Sequence, residues 1–443
     1  MRRQLLTRVG ALLLTAALVP ARAQPTPETT PHQRTAVWSA DVQVLAGVDL
    51  LGVRESSGFN PRNLVASLPS RQSVIELRPD FNLEMGRFTF NFGPRLLARP
   101  EVNVPHMPPA AEQEFDNFYV NRWRAGVKLT PSLTAAWGRE VLQGGNSVFR
   151  SPSNPFLTDN GRLNPIRELP GRDFATLTWT PSRAYALTFI SNTGQGHDAV
   201  RGEPFRVTNA LKLDYVGERF NATVIASRKQ GGRFRLGGSY TYSASDAVLI
   251  YGEATAAQGS DALYPAAQEP ASAPQTLLAA KDNSGKVLFT TLSGASYTFR
   301  NGFVSTVEYL YSNEGYSGSE ARSFSSLQRS ALQVMRQGGP AGGSGAELLG
   351  RALSTGLRVE RQNYLFFQGV LAEYRNRADF AVSYARNLDA GGGGSFAAYA
   401  TVSVNSRTQF YAVGTWNNGP AASEFQRLNR FTLSTGIRLF FSR

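Results

Sequence analysis

Most of the cationic side chains in this sequence are arginine, which suits them to bind anions. The chain has 46 basic residues, of which five are lysine (128, 212, 229, 281 and 286), so 46 − 5 = 41 are arginine. A guanidinium binds carboxylate or phosphate through a planar fork of donors, whereas an ammonium offers a point charge. A high genomic GC content, which favours arginine codons, is the competing explanation for the excess.

Side chains suited to acid–base or metal chemistry are few. The chain has no cysteine and three histidines, at positions 32, 106 and 197. No HExxH motif, metal-spaced cluster or Walker loop occurs, and the dipeptide His197-Asp198 is a weak sign of hydrolysis. The sequence therefore predicts no catalytic residues, no metal site and no cofactor.

The stretch SVIELRPDFNLEMGRFTFNF, residues 73–92, shows how the charges are placed. Apolar side chains occupy every second position from Ile75 to Met85, and charged ones such as Arg78 and Asp80 lie between them. The pattern resumes at Phe88. A period of two is that of a β-strand, whose side chains alternate between its two faces. The pattern therefore predicts a sheet with one apolar face and one charged face.

Segments of this kind recur throughout the chain and predict about 18 strands. They lie near residues 38–52, 73–85, 87–99, 117–129, 132–143, 172–180, 183–192, 205–216, 219–229, 232–243, 246–256, 286–299, 302–312, 362–375, 378–388, 395–405, 408–417 and 428–441. Most of them have the roughly 9–11 residues that a tilted strand needs to cross a bilayer.

The connections between these strands alternate in length. Turns of two or three residues, such as Gly86-Arg87 and Asn376-Arg377, alternate with longer connections. The longer ones are 53–72, 100–116, 144–171, 193–204, 257–285, 313–361, 389–394 and 418–427, and only 230–231 is short where a long one is due. An even number of strands places both termini at the end of the short turns.

The first residues have the three parts of a secretory signal: a basic start, an apolar stretch and the small-residue site Ala21-Arg22-Ala23. We expect a signal peptide over residues 1–23 and a flexible lead-in over 24–36, with a retained anchor as the alternative. Removal of four arginines would lower the net charge from +13 to 13 − 4 = +9. No later segment has 18 uninterrupted apolar residues, so we expect no transmembrane helix.

The last strand, RFTLSTGIRLFFSR, carries a family resemblance. Phe431, Leu433, Ile437, Leu439 and Phe441 share one face. The segment resembles the C-terminal strand of Gram-negative outer-membrane proteins, although Ser442-Arg443 follow the final aromatic residue. The resemblance implies an all-β fold, a transmembrane antiparallel up-and-down β-barrel of about 18 strands over residues 37–443. It also implies a location in the cell outer membrane, contact with lipid and recognition of this strand by the barrel-assembly machinery.

Aromatic residues near the strand ends fit the girdles of such barrels. They are Trp38, Tyr119, Trp123, Trp137, Trp179, Tyr185, Tyr215, Tyr242, Tyr297, Tyr309 and Trp416. The ordinary preference of aromatic residues for strands is the alternative explanation.

If the apolar face meets lipid, the charged face lines a water-filled bore, as expected for a barrel of this size. The predicted pore-lining basic residues are Arg78, Arg87, Arg95, Arg122, Arg124, Lys128, Arg206, Lys212, Arg233, Arg235, Arg430 and Arg438. The predicted acidic ones are Glu76, Asp80, Glu84, Asp214, Glu253 and Glu308. The arginines from 78 to 124 lie on three consecutive strands and would favour anions. Alternatively, the charges only keep the bore solvated.

Two long connections are candidates for narrowing or covering the bore. Residues 144–171 are rich in proline and resemble the constriction loop of general porins. By that resemblance five charged residues would face the pore, namely Arg150, Asp159, Arg162, Arg167 and Glu168. Residues 313–361 have helical spacing in two stretches. For each connection, a surface excursion is the alternative.

Together these features predict an outer-membrane channel through which small hydrophilic solutes, favouring anions, diffuse. One alternative is an exporter of an acidic polysaccharide, since the strand count is similar to that of alginate-export barrels. Another is a surface enzyme or adhesin. An exported chain without a compact basic tract is not expected to bind nucleic acid. The sequence leaves the solute and the oligomeric state open.

Overall fold

The structure is a computed structural model that describes residues 36–105, 117–157, 159–197, 205–265, 278–281, 283 and 285–442. The predicted signal peptide, lead-in residues 24–35, His32, His106 and Asp198 lie outside these ranges.

Eighteen strands form one antiparallel sheet, as predicted. They are β1 Val37–Val53, β2 Arg71–Met85, β3 Phe88–Asn103, β4 Asn117–Thr130, β5 Leu133–Glu140, β6 Arg172–Trp179, β7 Tyr185–Gly194, β8 Thr208–Val216, β9 Phe220–Lys229, β10 Phe234–Ser243, β11 Val248–Gln258, β14 Val287–Thr298, β15 Phe303–Ser312, β16 Asn363–Tyr374, β17 Ala378–Asn387, β18 Gly394–Asn405, β19 Thr408–Asn418 and β20 Asn429–Ser442. A separate small hairpin pairs β12 Leu263–Pro265 with β13 Leu278–Ala280.

The sheet closes into a barrel because the first strand pairs with the last. In the β1–β20 ladder Val42 lies opposite Phe441, and Leu50 lies opposite Leu433. Every other strand of the ring pairs with its neighbours along the chain, apart from the hairpin inserted between β11 and β14. Strands on opposite walls are therefore about nine positions apart in the ring.

The barrel wall exposes its apolar side chains outward. Trp38 and Trp137 are each 55 % exposed, and Phe118 is 63 % exposed. Residues directly opposite each other on paired antiparallel strands share a face, and Arg78 lies opposite Gln43, on the face away from these aromatic residues. A band of exposed aliphatic and aromatic side chains around a polar interior is the arrangement of a barrel that sits in lipid.

One aromatic residue expected on the outer face, Tyr119, lies on the other one. The β3–β4 ladder pairs Gly93 with Arg122 but Pro94 with Val120, so Asn121 is an extra residue on β4. This bulge inverts the alternation, and Tyr119 therefore lies opposite Arg95 and stacks on His197, with ring centroids 3.9 Å apart.

The connection between β15 and β16 forms two helices, α1 Gly318–Gln337 and α2 Gly339–Leu353. Ser317 and Glu320 form a capping box at the start of α1. Phe324 of α1 stacks on Phe59, which belongs to the connection between β1 and β2, with centroids 5.4 Å apart. Because β1 and β15 are six positions apart in the ring of eighteen, the contact reaches over part of the mouth of the barrel. No helix among the described residues is long and apolar enough to cross a membrane.

Candidate functional site

The connection between β5 and β6, residues 141–171, runs across the bore. Its Glu168 binds Arg95 on β3, and its Ser147 binds Glu253 on β11. β3 and β11 are eight strands apart in the ring of eighteen, so they lie on opposite walls. We call residues 141–171 the crossing loop.

On one wall, Glu253 collects donors from the crossing loop. Its Oε1 accepts hydrogen bonds from the backbone N–H groups of Asn146 at 2.6 Å and Ser147 at 2.8 Å. Its Oε2 accepts from the hydroxyls of Ser151 at 2.8 Å and Ser153 at 2.7 Å. Glu253 is 4 % exposed, and these four donors replace the water that a buried carboxylate loses.

Glu308 on β15 continues this arrangement. It accepts from the backbone N–H groups of Val148 at 2.5 Å and Phe149 at 2.8 Å, and from the Tyr251 hydroxyl at 2.5 Å. The two carboxylates thus bind four consecutive backbone amides, 146–149. We call Glu253 and Glu308 the carboxylate clamp.

Apolar side chains of the crossing loop pack on three parts of the inner wall. Phe149 stacks on Phe366 of β16, with centroids 5.4 Å apart. Phe156 packs among buried side chains of β6 to β9, including Phe174. Ile166 packs on Leu45 of β1 and on β19. Burial of these side chains holds the loop inside the barrel by the hydrophobic effect.

On the opposite wall arginines hold the crossing loop. Both carboxylate oxygens of Glu168 accept hydrogen bonds of 2.6 Å from Arg95, which is 1 % exposed. Arg95 also bonds Asp80 at 3.0 Å. Arg78 donates to the backbone oxygen of Ile166 at 3.0 Å and to Glu76 at 2.7 Å.

The remaining predicted charges of the crossing loop bind within the loop. Arg162 donates to the carbonyl oxygens of Gly145, Asn146 and Ser147. Arg167 pairs with Asp159, and Arg150 lies 3.9 Å from the same carboxylate. Burial acts to raise the pKa of Asp159, but the Gly161 N–H and the Arg167 charge outweigh it and hold that pKa below its usual value. These charges stiffen the loop.

A cavity of about 330 Å³ lies between the crossing loop and the arginine-bearing wall. Five arginines line it, against two carboxylates. The arginines are Arg78, Arg95, Arg122, Arg167 and Arg438, and the acids are Asp80 and Glu168. We call it the arginine cavity. Because Arg95 and Arg78 already bind acids, Arg122 and Arg438 carry most of its unbalanced positive charge.

A second cavity of about 530 Å³ lies at the mouth, between the crossing loop and the segment that follows α2. We call it the outer cavity. Its charged lining comprises Arg150, Arg358, Arg427, Glu360 and Glu424. Arg427 pairs with Glu360 at 2.6 Å and lies 4.2 Å from the Phe59 ring centroid.

Three residues predicted to line the pore lie outside the strands. Arg87 is in the turn between β2 and β3, over the ring of Phe88. Arg206 precedes β8, and Arg233 precedes β10 and bonds Asn283 at 2.6 Å. Local alternation continues into turns, so it does not mark where a strand ends.

The other predicted residues lie on the strands. Arg124 lies 3.5 Å from Glu140, and Lys212 pairs with Asp214 at 2.9 Å. Glu84, Lys128 and Arg430 are exposed near strand ends, and Arg235 is on β10.

Sequence reasoning missed Asn121, Tyr251 and Arg358. Asn121 is the bulge residue, and its amide bonds the Leu169 oxygen at 3.1 Å and the Gly171 N–H at 2.9 Å. No period-two pattern selects a neutral amide for this role. Among the described residues, no three His, Asp or Glu side chains are grouped to hold a metal ion.

No protein-family model and no curated protein sequence matches the chain. Solved outer-membrane proteins do match its structure. OprD from Pseudomonas aeruginosa superposes with a TM-score of 0.54 at 10 % identity, covering 91 % of this chain and 94 % of that one. OpdK from Pseudomonas aeruginosa, solved with vanillate, gives 0.55 at 10 % identity, covering 92 % and 99 %. OccAB3 from Acinetobacter baumannii gives 0.54 at 9 % identity, also covering 92 % and 99 %.

The fold is that of these outer-membrane barrels. The prediction of an antiparallel outer-membrane β-barrel of about 18 strands is therefore confirmed.

Proposed function

We propose that the chain is an outer-membrane channel through which small, hydrophilic, anionic solutes diffuse. The observation that carries this proposal is the arginine cavity, where five arginines face two carboxylates beside a loop that crosses the bore. The belt of exposed aromatic residues is the part that meets lipid, and the wall within it meets water.

The arginine cavity favours anions for an electrostatic reason. Walls of low dielectric constant concentrate the field of the charges that line them and enrich solutes of opposite sign. Arg122 lines the cavity and forms no ion pair within the part of the chain that the structure describes, so its charge acts on solutes. Selectivity in such a pore follows from its charge and its width, without a chemical step.

The dimensions favour small solutes over a polymer. The crossing loop is attached to at least three parts of the wall, and the cavity beside it measures about 330 Å³. One structural neighbour, OpdK, was solved with vanillate, a small aromatic carboxylate. A solute of that class matches the charge and the size of the arginine cavity. The exposed apolar face of β20 is the surface we propose for recognition by the barrel-assembly machinery.

Purified protein in a planar bilayer tests the proposal. A salt gradient across the membrane should give a reversal potential of the sign that marks anion preference, and added vanillate should reduce the chloride current. A cation-selective reversal potential would contradict the anion proposal, and a bilayer without conductance would contradict the channel itself. Blockade by uronate polymers, without any effect of vanillate, would favour polysaccharide export.

A further inference from the structure

Two arginines lie near the place where the crossing loop, β10 and the segment after α2 come together. Arg358 lies in that segment, and its Nη1 donates to the carbonyl oxygens of Pro152 at 2.9 Å and Asn154 at 3.0 Å. Both acceptors belong to the crossing loop. Arg358 therefore joins the segment after α2 to the crossing loop.

Arg235 reaches the same place from the wall. Two residues further along β10, Gly237 packs so closely on the loop that a Cβ there would lie 2.6 Å from the Ser153 carbonyl oxygen. Ser153 stands between the two residues that Arg358 binds. Since residues two apart on a strand share a face, Arg235 points toward the same side of the wall as this contact.

Neither guanidinium is neutralised by a neighbour. No carboxylate forms an ion pair with Arg235 or Arg358 within the described ranges. The Nη1 atom of Arg235 is enclosed, and no described acceptor reaches it. Glu314, whose charge acts on Arg358, already accepts a hydrogen bond of 2.5 Å from the Ser260 hydroxyl.

This arrangement is unfavourable for the protein alone. An enclosed donor without an acceptor costs free energy, more so when the group is charged. Two like charges in a partly dry site also repel each other. Burial and then the charge of Arg235 accordingly lower the pKa of Arg358 below its usual value. An anion between the two guanidinium groups would relieve both effects.

We propose that Arg235 and Arg358 hold a small monovalent anion, either chloride or a single carboxylate group. It would receive the free donor of Arg235 and bridge β10 to the segment after α2. Guanidinium donors suit both kinds of ligand, and charged hydrogen bonds of this type are the stronger ones. The bound anion would hold the segment after α2 against the crossing loop and β10. This role is separate from selection at the arginine cavity and does not depend on transport.

Thermal unfolding of the detergent-solubilised protein tests the site. A ligand that binds only the folded state raises the transition temperature with its concentration. In sodium chloride and sodium acetate the temperature should rise with concentration relative to sodium isethionate, whose anion is bulkier, at equal ionic strength. A rise in chloride alone would identify a halide site, and a rise in both salts a site that also takes carboxylates.

The variant Arg235→Gln should lose this anion dependence, whereas Arg228→Gln, an exposed arginine on the neighbouring strand β9, should retain it. Equal transition temperatures in all three salts, or an unchanged dependence in Arg235→Gln, would overturn the proposal. If Arg235→Gln does not fold, crystals of the unaltered protein soaked in bromide decide the question. An anomalous peak between the two guanidinium groups supports the site, and its absence there refutes it.

Discussion

The two walls that hold the crossing loop carry opposite charges. They also differ in how far their charged groups are occupied by hydrogen-bond partners. Glu253 and Glu308 use their oxygens on backbone amides and hydroxyls of the loop, and both are buried. On the other wall Arg95 is equally buried against Glu168, but Arg122, close to it, remains exposed to the cavity.

The difference indicates that the charged residues of the inner wall have two separate roles, which depend on how buried and how fully hydrogen-bonded each of them is. A buried carboxylate that has all its hydrogen bonds fixes a position, because losing any partner is costly. An exposed guanidinium is solvated at little cost and can exchange water for a passing anion. We therefore assign loop positioning to the carboxylate clamp and solute selection to the exposed part of the arginine wall.

The largest effect is expected from the carboxylate clamp. In the double variant Glu253→Gln/Glu308→Gln, each carboxylate becomes a neutral amide. One of its two oxygens is replaced by an NH2 group, which cannot accept hydrogen bonds from the loop. Each charged hydrogen bond that is lost removes about 1.5–3 kcal/mol. The loop should detach from this wall, and single-channel recording should show a larger and noisier conductance.

Asp214→Asn is the matched control for the clamp, since Asp214 binds Lys212 and Thr223 on the wall itself. Its conductance should equal that of the unaltered protein. A clamp variant with unchanged conductance would show that the apolar anchors, such as Phe149 on Phe366, hold the loop without the carboxylates.

The next effect concerns selection. Arg122→Glu changes the charge of the arginine cavity by two units, within the roughly 8 Å over which charges act at physiological salt. The reversal potential in a salt gradient should move toward cation preference while the conductance changes little. Arg87→Glu, in a turn outside the cavity, serves as the control, and an equal shift in both variants would contradict a local role for Arg122.

Most of the barrel was predictable from sequence because successive side chains of a strand point to opposite faces, so a short stretch of residues shows which face is apolar. Alternation around Arg78 located β2, and similar patterns located the other seventeen strands. The bulge at Asn121 was not predictable, since one extra residue leaves both halves of β4 alternating correctly.

The site was less predictable, because its contacts join distant residues. From the sequence, Glu253 was one of several charged residues expected to line the bore. The hydrogen-bond donors that it binds lie 100 to 107 residues earlier in the chain. A serine- and asparagine-rich loop offers hydrogen-bond donors, but the sequence of the loop does not indicate which carboxylate will accept their hydrogen bonds. Period and composition thus predicted the inner wall, while long-range pairing decided which of its charges remain available to solutes.

A smaller effect is expected where an arginine is replaced by lysine. Arg95 binds both oxygens of Glu168 through Nε and Nη2. Lysine keeps the charge but loses the fork. In Arg95→Lys, thermal stability should fall and the conductance should fluctuate more, with anion preference retained. Loss of that preference would show that Arg95 acts on solutes directly.

The smallest expected effect is a pH dependence at the outer cavity. Burial first, and then the charge of Glu360, raises the pKa of Glu424 from 4.5 to about 7, although hydrogen bonds from Tyr364 and Asn387 and the Arg427 charge act against this. Between those two values the folded protein keeps a proton that the unfolded chain has released. Stability should therefore fall as pH rises through this window.

The same titration adds one negative charge to the outer cavity as pH rises through about 7, since Glu424 lines it. Anion preference should accordingly be stronger at pH 6 than at pH 8. Glu424→Gln, which stays neutral, should show neither dependence, whereas Glu347→Gln, an exposed carboxylate on α2, should keep both. Reversal potentials that change equally with pH in Glu424→Gln and in the unaltered protein would assign the titration to another group.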